Sequence, residues 1–243
     1  MPKYLFYKMT HDSGFAPNPF GDYLTLATCT PNHVRAGLQK GDWIIGVESL
    51  TLANERKKVY LNPDVEQSLI YLAKVNEILT LDDYFKDERF EFKKPCIKRK
   101  NYKERRGDNV YYIDDGKWKW LRGHDHDPEI LCRLPDYEVF FNVENLDKLW
   151  KDKIAPIKYQ RILQDIRGNR VFISKEFLYF GDKGVEFDKQ FIECVPNRGI
   201  KYCPEEYENE LQEYINKLFE KYGYRRVHGN PINYSIKKKI GKI

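Results

Sequence analysis

His11 and Asp12 stand side by side just ahead of a glycine- and proline-rich loop. A carboxylate next to an imidazole can orient it for proton transfer, or accept a hydrogen bond from the amino group of a base. The same pair can also close a strand end at a turn. Asn18 lies between Pro17 and Pro19. The following proline pushes it to extended geometry, and the fixed backbone lowers the cost of ordering its amide. Thr28 and Ser49 offer hydroxyls, and Arg35 offers a fork that fits a phosphate in bidentate fashion. Trp43 offers a ring on which a base can stack, worth about 1–3 kcal/mol. The expected ligand site is therefore His11, Asp12, Asn18, Thr28, Arg35, Trp43 and Ser49. Each has a structural alternative: an Asx-turn or local cap for Asn18, Thr28 and Ser49, a surface salt bridge for Arg35, a core anchor for Trp43. Asp42 reads as the residue that closes a Gly-Asp bend.

Other constellations carry less. Residues 124–127, HDHD, place two histidines two apart among carboxylates, but no third histidine follows at ligand spacing. A polar loop is expected there, with no metal. The five cysteines form no CxxC pair, and Cys29 has no evident base partner, so a reduced thiol set in the cytoplasm is expected. There is no phosphate-binding GxxxxGK[ST] loop, no dinucleotide GxGxxG, no zinc-deaminase signature and no nucleophile elbow. No cofactor is expected, and whether the chain is an enzyme stays open.

Charge is distributed unevenly. The chain of 243 residues carries a net charge of +5, yet residues 93–106 alone carry +7 and residues 224–243 carry +6. The rest is acidic. Such blocks attract phosphate backbones through counterion release, or serve as solvated loops. Lys98, Arg99, Lys100, Lys103, Arg105 and Arg106 are the expected nucleic-acid contacts. No apolar run is long enough to span a membrane, and the start, MPKYLFYKMTHD, has no signal-peptide core.

The elements that must position these residues are short. Residues 3–9 read as an aromatic strand, 23–28 as a second, and Trp43 to Val47 as a third. Thr30 and Pro31 open a short helix that runs to Gln39. Residues 48–66 are polar and read as a loop or excursion. Ser68 to Ile78 suits a buried central strand. Thr80 caps a helical turn to Phe85. Residues 109–113 and 117–121 flank Asp114-Asp115-Gly116, a hairpin signal. Residues 170–174 and 177–180 are further strands, and Pro204 to Tyr222 is a helix ended by Gly223. The tail after Gly229 is expected to be mobile. Many short strands with few helices indicate an α+β fold.

The run GFAPNPF…LTLATCTP…R…GDWIIG, from Thr10 to Gly46 with its flanks, resembles a bacterial and phage family, the nucleotide-modification-associated domain of type two. DDYF at 82–85, GDNVYY at 107–112, VFISKEFLYFG at 171–181 and RG at 198–199 fit in the same order. The resemblance covers roughly residues 3–202. The chain departs from it in a divergent stretch over 133–167 and at Ile200, where the family tends to have histidine. The implied organisation is one domain over 1–203, followed by a C-terminal helix and basic tail over 204–243. The order of elements, with its Gly-Asp turn and a strand ending in Val-x-Glu, is also similar to the PUA-like barrels of the EVE and ASCH branches. That likeness implies a small mixed or antiparallel β-barrel core. The resemblance implies recognition of a nucleotide, nucleic acid or modified base in a DNA-modification or phage-conflict system. The alternatives are a base-modifying enzyme using His11-Asp12, and a phage-encoded inhibitor or adaptor with a protein partner. No membrane partner is expected.

Overall fold

The computed structural model describes residues 2–28, 33, 36–58, 67–96, 101–121, 160–223 and 226–239. The predicted helix start at Thr30-Pro31, Cys29, Arg35, Lys98, Arg99, Lys100, the 124–127 cluster and most of the 133–167 stretch lie outside these residues.

The main sheet is mixed. β1 (Tyr4–Met9) runs parallel to β3 (Trp43–Glu48), and β3 runs antiparallel to β4 (Ser68–Lys74). β9 (Phe177–Tyr179) and β10 (Val185–Glu186) share the far side of β4, and β11 (Ile200–Tyr202) flanks β1. A second, antiparallel sheet holds β8 (Val171–Ser174) between β2 (Leu24–Leu26) and β5 (Glu77–Leu79). The hairpin of β6 (Tyr111–Asp114) and β7 (Lys117–Trp120) turns at Asp115 and Gly116, both at positive φ, as its Asp-Gly signal requires. Both larger sheets are open at their edges, and no pairing closes them among the described residues. The α+β class holds, but the expected barrel is not formed.

The two larger sheets are joined by strands that pass from one to the other. Ala73 pairs with Phe177 in the first sheet and Glu77 pairs with Ile173 in the second, so β4–β5 and β8–β9 form one bent ladder. The bend is held by Asn76, whose Oδ1 accepts from the backbone N–H groups of Lys175 (2.7 Å) and Glu176 (3.2 Å). Strand corners of this kind let one hydrogen-bonded pair serve two packed sheets.

Among the described residues, six helices surround the sheets. α1 (Leu50–Lys57), α2 (Leu81–Lys86) and α3 (Tyr102–Arg105) are short. α4 (Gln160–Gly168), α5 (Glu208–Tyr222) and α6 (Ile232–Lys239) follow. α1 corrects the expected loop: Ser49 caps it, accepting from the Leu52 N–H at 3.2 Å, and the helix buries Leu52, Ala53 and Arg56. The Arg56 guanidinium is paired in bidentate fashion with buried Glu48 at 2.8 and 2.9 Å, so a charged residue faces inward here. α6 corrects the expected mobile tail, since Pro231, Ile232 and Ser235 are buried.

Period-two alternation along β1 and β3 divides the interior. Tyr4, Phe6, Trp43, Ile45 and Val47 face a core completed by Leu211, Ile215 and Leu218 of α5. Leu5, Met9 and Ile44 face a second core, shared with β2, β8 and Ile232 of α6. A third core joins α2, β6, β7 and α4 around Tyr84, Phe90 and Trp118. Residues 204–223 and 226–239 thus contribute to two of these cores.

Candidate nucleic-acid interface

The loop after β1 is an internal brace. Asp12 is 0% exposed. Its Oδ1 accepts from the Tyr179 hydroxyl at 2.6 Å and its Oδ2 from the Ile232 N–H at 3.0 Å. Its backbone N–H donates to Asn233 Oδ1 at 2.9 Å, and its carbonyl accepts from the Asn233 N–H at 3.0 Å. Burial pushes the Asp12 carboxyl up to about 6, against the lowering effect of the Tyr179 hydrogen bond. Gly14, at φ +76°, packs against the α6 side too: a Cβ there would come within 2.6 Å of Pro231 Cγ.

Asn18 is equally committed. Its amide donates to the Arg106 carbonyl at 2.9 Å. Its Oδ1 accepts from the Phe20 N–H (3.2 Å) and from Lys93 Nζ (3.0 Å), which also donates to the Asn18 carbonyl (3.0 Å). Lys93 is 1% exposed, so it is not part of any surface charge, and burial lowers its ammonium to about 8. Nearby, Asp108 is wholly buried and accepts from Thr25 Oγ1 at 2.7 Å and the Tyr84 hydroxyl at 2.9 Å. Burial raises its carboxyl, with the Lys93 charge opposing that rise. Asn109 donates to the carbonyls of Tyr84 and Phe90 at 3.1 and 3.2 Å. This network ties the loop, β2, α2 and the approach to β6 into one piece.

On the outside of that brace lies α3. The Tyr102 hydroxyl donates to the Ser13 carbonyl, the Arg106 guanidinium lies 5.1 Å above the Tyr102 ring, and Lys103 Nζ lies 5.7 Å from the Phe20 ring. Lys103 and Arg105 are exposed. The Tyr102 ring also packs on Tyr234 of α6, centroids 4.3 Å apart at 44°. The two basic segments, more than a hundred residues apart in sequence, therefore meet. α6 carries Lys237, Lys238 and Lys239 in its last turn.

The other expected site residues are dispersed. His11 is exposed while Asp12 is buried, so the two do not share a surface and do not form an acid–base pair on a cleft. Ser49 is a helix cap. Asp42 closes its bend as expected, accepting from the Lys3 and Gln39 N–H groups at 2.9 and 2.8 Å. Thr28 is fully buried, and its hydroxyl has no hydrogen-bond partner among the described residues. Trp43 lies at the start of β3, opposite Tyr4, whereas the loop follows Met9 at the other end of β1. Strand lengths place the two ends roughly 17 Å apart, so Trp43 and the loop do not line one pocket. Instead Trp43 lines a cleft of about 880 Å³ beneath α5. Sequence reading missed Thr25, Tyr84, Lys93, Asp108 and Tyr179 as interior polar anchors. For all but Lys93 the available signal was placement inside the short motifs LTL, DDYF, GDN and FLYF; Lys93 opens the basic run and reads as one more surface charge.

No curated protein and no solved structure matches the chain at a significant level. Among the described residues, no helix is long and apolar enough to cross a membrane, and no group of histidine, cysteine and carboxylate residues could hold a metal ion. Residues 1–130, which include the braced loop, the buried Lys93–Asp108 network and α3, match the model of the family described as nucleotide modification associated domain 2, and the chain belongs to that family.

Proposed function

We propose that this chain is a nucleic-acid-recognition component of a nucleotide-modification system, holding phosphates on the face formed by α3 and α6. The observation that carries this reading is the Tyr102–Tyr234 contact, which joins the two basic segments of an otherwise acidic chain. Concentrated cations recruit a polyanion by releasing its condensed counterions. The family membership supplies the nucleotide context. The loop from Asp12 to Phe20 acts in this reading as the rigid backing of the face. The side chains of Asp12 and Asn18 are spent on the protein's own groups and are not available to read a base edge.

The test is a salt titration of DNA and RNA binding by the wild type, Lys103→Gln/Arg105→Gln and Lys237→Gln/Lys238→Gln/Lys239→Gln. Each variant should weaken binding to all sequences alike. Each should also flatten the dependence of log affinity on log salt, by about 0.9 per lost phosphate contact on duplex and about 0.7 on single strands. Wild-type affinity and slope in both variants would remove this face from the interface.

A further inference from the structure

The cleft beneath α5 lies where β4–β5 and β8–β9 bend from one sheet into the other, and it is walled on its other side by α5. Its volume of about 880 Å³ lies in the range of small-molecule sites, about 300–1,000 Å³. Three kinds of group converge on it. The first is aromatic: Trp43 and Phe219, with ring centroids 6.1 Å apart at 59°, and Phe219 partly exposed. The second is amide: Gln212 accepts from the Tyr4 hydroxyl at 2.8 Å and donates to Asn216 Oδ1 at 3.0 Å, which leaves the Asn216 amino group on the exposed side. The third is cationic: Lys175 is exposed, and the Arg226 guanidinium is seated over the Phe177 ring at 5.7 Å while donating to the Asp22 carbonyl. Lys74, Glu176 and Glu220 line the cleft too: Glu176 accepts from Lys74 Nζ at 3.3 Å and from the Asn76 amide at 2.9 Å, while Lys175 Nζ lies 5.8 Å from the Tyr23 ring and acts on Glu77, so the lining holds three cations against two carboxylates.

An apolar aromatic wall takes a planar ring, amides bond the edge of a heteroaromatic base, and a lining with more cations than carboxylates takes a phosphate. We propose that this cleft binds a free mononucleotide. It is a second site, at the opposite end of β1 and β3 from the α3–α6 face, and it does not depend on that face binding nucleic acid.

Isothermal titration calorimetry with the nucleoside 5′-monophosphates and their parent nucleosides tests the assignment. At least one monophosphate should bind saturably with a submillimolar Kd, and its nucleoside should bind at least about tenfold more weakly. Lys175→Gln/Asn216→Ala changes two exposed residues, so the variant should keep the wild-type melting temperature and lose about tenfold in monophosphate affinity. Lys103→Gln/Arg105→Gln should bind the monophosphate as the wild type does. Three outcomes each overturn the proposal: no saturable binding of any monophosphate, undiminished binding by the cleft variant, or loss of binding in the α3 variant.

Discussion

At the scale of single residues, the buried carboxylate of Asp12 makes a pH prediction. Its folded-state value is raised to about 6 from an ordinary 3.8. The folded chain therefore holds a proton that the unfolded chain releases between those limits. The stabilising contribution is fully present below about pH 4 and is lost as pH rises through 6. A shift of that size corresponds to about 3 kcal/mol. Asp12→Asn cannot titrate. In urea melts at pH 4, 5, 6 and 7, the stability of the wild type relative to Asp12→Asn should fall by up to about 3 kcal/mol across the series. A constant difference would mean that the carboxylate is not held in the dry, hydrogen-bonded position between Tyr179 and Ile232. That position also explains why the residue reads so readily as a ligand group. Sequence shows a carboxylate ahead of a rigid loop, and it cannot show that a helix more than two hundred residues later supplies the carboxylate's partner.

At the scale of elements, what was legible was what repeats. β1 and β3 alternate residue by residue, the Asp-Gly pair turns a hairpin, and α5 repeats its apolar positions every three to four residues before Gly223 stops it. α1 and α6 broke those patterns for physical reasons. α1 turns a charged residue inward because Glu48 neutralises Arg56 there. α6 reads as a lysine-rich tail because its anchors, Ile232 and Ser235, are few and their partners distant. The open sheets, too, were beyond reach, since the order of strands along an edge is not written in their period. The element linking α2 to β6 carries a sharper prediction. A Cβ on Gly107 would lie 2.0 Å from the Lys93 carbonyl, which is rigid backbone. Gly107→Ala should therefore cost more than about 2 kcal/mol in denaturant unfolding, through overpacking at a site with no room to relax. Gly116→Ala serves as the control. It has open space around it and pays only for its turn conformation at φ +67°. A Gly107→Ala variant as stable as that control would show that the 3₁₀ turn ending at Lys93 does not approach Gly107 so closely.

At the scale of the whole molecule, the C-terminal segment has two separable roles, and one experiment divides them. Residues 230–239 hold together parts of the chain that are far apart in sequence. The Ile232 N–H completes Asp12, while the Asn230 N–H (2.9 Å) and the Ser235 hydroxyl complete Asp182, which is also buried. Removing residues 230–243 would strip donors from two buried carboxylates and expose the face that Ile232 covers. Leaving buried carboxylates short of partners costs at least about 3 kcal/mol. For a chain of this size that is a fall in melting temperature of about 6–12 °C. Lys237→Gln/Lys238→Gln/Lys239→Gln keeps every one of those donors and removes only charge, so its melting temperature should match the wild type while its salt slope flattens. Calorimetry on the two variants side by side decides the matter. If the truncated chain melts with the wild type, the segment is an appendage, and the basic face would lose the rigid backing that the Tyr102–Tyr234 contact gives it. If the truncation melts early and the lysine variant does not, the same ten residues brace the fold with their first turn, and their last turn, where the lysines fall in sequence, is not needed for that brace.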